Sequence, residues 1–346
     1  MKFKISRKKY LTEKLLIIDG LPGCGKTMLS KIVSSLDRME ILNYAFEIEF
    51  ICKLHNLNKI TEDATSSLSS MLVDHKLYQS MMGRETNFRY SDLSSVFNYP
   101  FPLKYFKRIF SKGELQIPKK IIDIKPILNL TTHNLLPYSD PIFTNFKDRL
   151  LYIELKRHPL YMIIQHTLNM ERLLNNPRDI QVLFDYEGYE LPYFAYGWED
   201  LFIKSNPVEK AIYFFYYAIK KNDQFKKKLS NKNNENFLSI KFEEFVFDPT
   251  KFLNIICKKL NTSKSSRTNK ILKIQKVPRK KLAESIDLDI YRRCGWKPPT
   301  KNLSEKEELT LRREFCINQG ANKNSMNILD EISNEYEQNL EKKIFN

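Results

Sequence analysis

Leu15-Leu16-Ile17-Ile18-Asp19-Gly20-Leu21-Pro22-Gly23-Cys24-Gly25-Lys26-Thr27 decides how the rest of the chain reads. A short apolar run breaks into a glycine-rich loop ending in Gly25-Lys26-Thr27, which completes the pattern G-x-x-x-x-G-K-[ST]. Met28-Leu29-Ser30-Lys31-Ile32-Val33 follows with helical character. Strand, loop and helix in that order matter more than the pattern alone. Glycines let main-chain N–H groups converge on an anion, and the start of the next helix adds its partial positive charge. The stretch predicts a cradle for a phosphate, or a group of that shape, built from Gly23, Cys24, Gly25, Lys26 and Thr27.

Three further runs have the same apolar character: Ile127–Leu130, Leu150–Leu155 and Phe237–Ile240. Near-continuous apolar runs of strand length are expected of parallel strands buried on both faces. Helix-like stretches separate them, so the alternation predicts a three-layer α/β/α fold with a doubly wound, mostly parallel sheet, helical insertions and a helical C-terminus. Each run ends in polar residues. The glycine loop follows the first, Thr131-Thr132-His133-Asn134 the second, Lys156-Arg157-His158-Pro159 the third and Lys241-Phe242-Glu243-Glu244 the fourth. Ligands of open α/β sheets lie beyond the carboxyl ends of the strands. All four polar segments are therefore expected on one rim.

The 346 residues, 42% of them hydrophobic, suffice for a sizeable core and read as a single domain spanning 1–346. An aromatic, irregular segment at about 170–210 is expected to be an insertion or lid, and residues 304–344 to form two helices. No run approaches the roughly 18 apolar residues of a membrane span, and the basic start lacks the apolar region of a secretory signal. Cys24, Cys52, Cys257, Cys294 and Cys316 are odd in number and scattered, which argues against a disulfide framework and a zinc site. A cytoplasmic location fits these features. The net charge of +16 admits three readings: a lysine-rich surface, a basic cleft for a small polyanion, or a nucleic-acid surface. No nucleic-acid module accompanies the dispersed lysines. Neither a nucleic-acid nor a membrane partner is expected.

Together these motifs resemble the sulfotransferases that use 3′-phosphoadenosine 5′-phosphosulfate (PAPS). The resemblance runs from about Leu15 to Leu260, with a further patch at 291–297, and is weakest over 170–210. It implies that Gly23–Thr27 hold the 5′-phosphosulfate of the donor. Leu150-Leu-Tyr-Ile-Glu-Leu-Lys-Arg157-His-Pro159 resembles the family's strand, arginine and proline turn, which implies that Arg157 grips the 3′-phosphate. The loop and Arg157 would then clasp opposite ends of one nucleotide. Thr132-His133 resembles the pair that carries the catalytic base. Leu238–Pro249 is similar to the family's strand, acidic pair and Asp-Pro turn. Arg292-Arg293-Cys294-Gly295-Trp296-Lys297 is similar to a late loop that closes on the 3′-phosphate, implying roles for Arg292, Arg293 and Gly295.

Sulfuryl transfer explains the residue types. An in-line displacement at sulfur needs a base for the acceptor and cations where the leaving oxygen gains charge. A histidine is suited to the first task, and an arginine fork to a phosphate. No metal is expected, and the acceptor would be a small hydroxyl or amine compound, a carbohydrate among the candidates.

Three features depart from the family. Its loop carries a cation where this chain has Gly23, so Lys26 is expected to serve the leaving group instead. The helix after Arg157 offers Gln165 where the family has a serine. A near-copy of the arginine motif, Asn176-Pro177-Arg178-Asp179, has no apolar strand before it and reads as a decoy. Each residue also has a plainer reading: His133 as a hydrogen-bonded structural histidine, Arg157 as a surface arginine, Glu243 and Glu244 as residues that order loops, the aromatics of 186–198 as core. The competing function is a P-loop kinase or NTPase, with Lys26 on the β/γ-phosphates and Thr27 on Mg²⁺. That reading needs a strand-terminal aspartate, for which Asp123 is the candidate.

Overall fold

The computed structural model describes residues 3–172, 176, 180–230, 235–282 and 303–341. Seven strands are present among them: β1 (Lys14–Asp19), β2 (Met39–Tyr44), β3 (Ile127–Thr131), β4 (Leu150–Lys156), β5 (Leu183–Tyr186), β6 (Tyr189–Pro192) and β7 (Phe237–Lys241). Five of them form one sheet in the order β2-β3-β1-β4-β7, and each neighbouring pair is parallel. β5 and β6 make a separate antiparallel hairpin.

Alternation along β1 builds the three layers. Leu16 and Ile18 belong to one buried cluster, with Leu29 and Ile32 of helix Lys26–Val33. Leu15 and Ile17 belong to another, with Ile48 and Cys52 of helix Phe46–Asn56 and Val73 and Leu77 of helix Glu62–Met82. Successive side chains of a strand point to opposite faces, so an unbroken apolar run must be covered on both. The doubly wound sheet expected from the sequence is the one observed.

Two elements differ from expectation. β2 was not among the apolar runs, because Met39-Glu40-Ile41-Leu42-Asn43-Tyr44 mixes polar residues into the strand. As an edge strand it pairs only with β3, so it need not be apolar throughout. Within 170–210, the described residues Leu191, Ala195, Trp198 and Phe202 pack into the core with Ile212 and Phe215 of helix Pro207–Ser230. Of that segment's aromatics Tyr193, Trp198 and Phe202 are buried, whereas Tyr189 and Tyr196 are exposed.

Strand order fixes the site. The chain leaves β1 for the edge strand β2, returns to β3 beside β1, and then crosses to β4 on β1's other side. The switch point lies at the carboxyl end of β1, where a crevice opens in such sheets. The glycine loop begins there. Helix Lys323–Gln338 closes over the β4–β7 end of the same rim, where Tyr336 donates its hydroxyl to Glu243.

Candidate active site

The loop after β1 is held from behind by three side chains. Lys26 Nζ donates to the carbonyls of Gly20 (2.7 Å) and Leu21 (2.9 Å). His166 Nε2 lies 2.8 Å from the carbonyl of Pro22, and Arg157 Nη1 lies 2.9 Å from that of Gly23. Four successive carbonyls are therefore occupied by donors. The loop's backbone bonds use the amides of Cys24, Met28 and Leu29, while those of Gly23, Gly25 and Thr27 have no backbone acceptor among the described residues. Main-chain donors left over at a helix start are what an anion requires.

Glycine is required at two loop positions. Gly25 has φ +100°, and a Cβ there would lie 2.5 Å from the ring of Phe242. Gly23 has φ +83°, and a Cβ would meet Gln165 Oε1 at 2.7 Å. A side chain at position 23 would be strained by the positive φ and would have to displace the Gln165 amide. Arg157 supplies the charge beside it. Cys24 is buried, and burial raises its thiol above the ordinary range, the neighbouring Lys26 opposing. It supports the loop as a neutral side chain.

Arg157 stands at the end of β4 on the same rim, where its guanidinium is in direct contact with the cradle. The guanidinium lies over the rings of Phe242 (4.5 Å) and Tyr161 (5.2 Å). Burial draws it below its ordinary pKa, with Glu243 opposing. Its Nε is buried with no partner among the described residues. An unpaired buried donor costs about 1–3 kcal/mol, more on a charged group. A phosphate oxygen would satisfy it, so the residues present fit a phosphorylated ligand.

His166 was not singled out in the sequence. Packed against Phe214 (5.5 Å, stacked) and Phe215 (4.7 Å, edge-on), it is pushed down to about 4 by burial, against the pull of its bond to Pro22. It is neutral at pH 7, with the proton on Nε2 facing the carbonyl. His158, next to Arg157, is structural as well: it accepts from the Leu160 amide on Nδ1 and pairs through Nε2 with Glu337. Glu243 accepts from the His158 amide and from Tyr336, so it orders this loop.

The segment after β3 is tied to the cradle. The Thr132 amide donates to Ile18 and the Asn134 amide to Gly20. Asp19 accepts from the Thr132 hydroxyl (2.8 Å), the amides of Leu135 (3.0 Å) and Leu136 (2.8 Å), and the Tyr152 hydroxyl (2.8 Å). These bonds fix His133 on the rim. Its Nδ1 lies 3.1 Å from Glu49 Oε1, and its ring stacks on Phe46 (5.4 Å) and Tyr44 (6.0 Å). Tyr44 also lies near the Thr27 side chain, whose influence opposes the burial that raises the Tyr44 phenol, so the histidine and the loop share a neighbour. Glu49 is buried and paired with Lys53 (3.1 Å), whose Nζ sits 3.9 Å from the ring centre of Tyr193. A carboxylate can only accept from Nδ1, so in the neutral ring Nδ1 carries the hydrogen and Nε2 keeps its lone pair. The sequence signal for Glu49 was its i,i+4 spacing from Lys53 in a helix that follows β2. It gains meaning only once His133 stands beside it.

Arg292, Arg293 and Gly295 lie outside the described residues, as do Pro177, Arg178 and Asp179. Asp123 lies in helix Gln116–Ile124, which leads into the amino end of β3 and so stands at the rim opposite the glycine loop. It is excluded as a metal-binding aspartate for Thr27. Among the described residues, no group of three or more His, Cys, Asp or Glu side chains could hold a metal. A cavity of about 130 Å³ touches Gly20, Leu21, Cys24 and Arg157 beneath helix Lys323–Gln338. Ligand clefts run to roughly 300–1,000 Å³, so this space alone does not hold a nucleotide.

No family model matches the chain, and no curated protein sequence matches it. Its structural neighbours among solved structures are sulfotransferases. It is similar to the sulfotransferase domain from the curacin biosynthetic pathway at 13% identity and a TM-score of 0.42, over 87% of this chain and 96% of that one. For the sulfotransferase domain of the Synechococcus PCC 7002 olefin synthase the values are 13%, 0.39, 91% and 98%. For a sulfotransferase from Mycobacterium avium they are 12%, 0.42, 95% and 77%. The functional reading rests on the side chains of the site rather than on these likenesses.

Proposed function

We propose that the chain is a sulfotransferase that moves a sulfuryl group from PAPS to a hydroxyl or amine acceptor, with His133 as the base. The observation that carries this reading is the pair His133–Glu49, 3.1 Å apart on the rim that bears the phosphate cradle. Glu49 fixes the tautomer in which Nε2 is free to take a proton, and Tyr44 and Phe46 hold the plane of the ring. A base so oriented contributes roughly 10²–10⁴-fold to such a step.

When bound, the donor supplies an activated sulfuryl group with a phosphate as leaving group. The amides of Gly23, Gly25 and Thr27 would bind the 5′ end, and Lys26 would turn from its carbonyls to the leaving oxygen. Arg157 and Gln165 flank the cradle and would bind the donor's phosphates, with Arg292, Arg293 and Gly295 proposed to close on the 3′-phosphate. A carbohydrate is one acceptor that suits a histidine base.

The alternative is a P-loop kinase or NTPase, favoured by the ending Gly25-Lys26-Thr27. Against it, the rim carboxylates Asp19, Glu49 and Glu243 are bonded to protein donors. Thermal unfolding with 3′-phosphoadenosine 5′-phosphate in the absence of metal, and separately with ATP and Mg²⁺, separates the two. A ligand at about 100 times its Kd adds roughly 2.7 kcal/mol to the folded state. Stabilisation by the bisphosphate is expected; stabilisation by ATP–Mg²⁺ alone refutes the proposal. Arg157→Ala should weaken bisphosphate binding roughly tenfold to a hundredfold, read by calorimetry. His133→Ala should spare binding and abolish most turnover of labelled donor.

A further inference from the structure

Helix Pro102–Ile109 is inverted with respect to solvent. Tyr105 and Arg108 are 2% and 5% exposed, whereas Leu103, Phe106 and Ile109 are 70%, 50% and 50% exposed and Phe110, just beyond, is 74% exposed. The usual surface helix does the opposite. The inward face is polar because it covers the free edge of β2. Tyr105 accepts the Ile41 amide on its hydroxyl, and Arg108 grips both oxygens of Glu40 (2.7 and 2.8 Å), with Lys104 2.9 Å away. Burial alone would raise the Glu40 carboxyl; the charges of Lys104 and Arg108 outweigh it and hold it at about 2. Sealing the edge strand uses the helix's polar face and turns its apolar face outward.

The outward face is continuous. Tyr90, Phe97, Phe88, Phe106 and Phe110 form a chain of rings with centroids 5.4–6.4 Å apart. Tyr90 is 82% exposed, and Leu115 beyond the helix 96%. Contiguous exposed apolar surface of this kind marks an interaction site. Exposed rings in a row of this kind suit a deformable apolar medium. Beside them opens a cavity of about 320 Å³ lined by Lys104, Lys107, Arg108 and Lys120 against the single carboxylate of Glu40. Lys107 and Lys120 have no ion pair among the described residues. Protruding aromatics fringed by unpaired lysines match an anionic lipid surface.

We propose that the face formed by helix Pro102–Ile109 and its aromatic neighbours seats on an anionic phospholipid bilayer, with Phe106 and Phe110 entering the acyl boundary and a headgroup phosphate over Lys107 and Lys120. The expectation of no membrane partner rests on the lack of a spanning segment, and none of the helices is long and apolar enough to cross a membrane among the described residues; a peripheral seat needs none. The strip also reaches toward the site. Phe88 packs on the cluster of Ile41, Leu42 and Tyr105 to which Tyr44 belongs, and Tyr44 stacks on His133. The seated face therefore adjoins the His133 side of the rim.

Flotation of the full chain with vesicles of phosphatidylcholine, and of phosphatidylcholine mixed with phosphatidylserine, tests this. Binding to the anionic vesicles alone, weakening as salt is raised, is expected. Phe106→Ser with Phe110→Ser should weaken it roughly tenfold or more, with the circular dichroism spectrum unchanged because both rings face solvent for half or more of their surface. Lys107→Glu with Lys120→Glu should cost on the order of fivefold per lysine or more. Lys227→Glu with Lys258→Glu, the same charge change elsewhere, should have much less effect. No binding to anionic vesicles at low salt overturns the proposal, as does equal loss in the Lys227/Lys258 variant. So does a dimer in sedimentation equilibrium that Phe106→Ser with Phe110→Ser dissociates, since a second copy would then cover the face.

Discussion

Replacing His166 with Gln isolates the proton balance of the loop's support. His166 is 2% exposed, donates from Nε2 to Pro22 at 2.8 Å, and is pushed down to about 4 from 6.5. Because the folded value lies below the unfolded one, the unfolded chain takes up the proton first. Stability is fully present above about pH 6.5, is lost as pH falls toward 4, and changes no further from this group below that. One site moving from about 6.5 to about 4 costs the folded state about 2.5 kcal/mol at pH 4.5. Glutamine places an amide donor near the Nε2 position and does not titrate. Urea unfolding of both proteins, followed by circular dichroism at pH 7.5 and at 4.5, measures the stability gap between them. At pH 7.5 the variant should be the less stable, having lost the ring's packing on Phe214 and Phe215. At pH 4.5 the gap should move by about 2.5 kcal/mol in the variant's favour. A gap that is unchanged within about 0.5 kcal/mol would refute the assignment of a neutral, proton-refusing imidazole behind the loop.

Other substitutions probe the same frame. Gly25→Ala forces a Cβ within 2.5 Å of the Phe242 ring at a positive φ, so a loss of roughly 1–3 kcal/mol and of bisphosphate binding is expected in thermal unfolding. Phe242→Leu in the same chain should return part of the stability. Glu49→Gln removes the carboxylate that orients His133: kcat should fall roughly tenfold or more while bisphosphate affinity holds, and Glu49→Asp should recover part of the rate. An unchanged kcat in Glu49→Gln would detach that carboxylate from the mechanism. Cys24, buried and with its thiol raised, should resist iodoacetamide in the folded protein and react once urea unfolds it, as read by mass spectrometry.

The strands that carry the site were legible because their burial is written into composition. Leu15–Ile18 is apolar and buried on both faces, Ile127–Leu130 and Leu150–Leu155 are each interrupted by one buried polar residue, Asn129 and Glu154, and Phe237–Ile240 by the exposed Ser239, so the apolar runs stayed readable as strands. The polar residues that follow each run sit on one rim because parallel strands end together. β2 was illegible because Glu40 and Asn43 interrupt its apolar residues, and Glu40 is neutralised by Lys104 and Arg108, more than sixty residues away in sequence. Glycines 23 and 25 could be read as a cradle, yet that a Cβ at 25 would run into the ring of Phe242 is visible only in the tertiary structure. What the residues along the chain determined was the type of each local element and the chemistry available at its end. What only the tertiary structure decided was partnership: that Glu49 faces His133, that His166 and Arg157 hold the loop's carbonyls, and that a helix turns its apolar side to solvent. Hydrogen bonds and ion pairs act over about 3 Å, and no local pattern records which distant side chain will arrive within that reach.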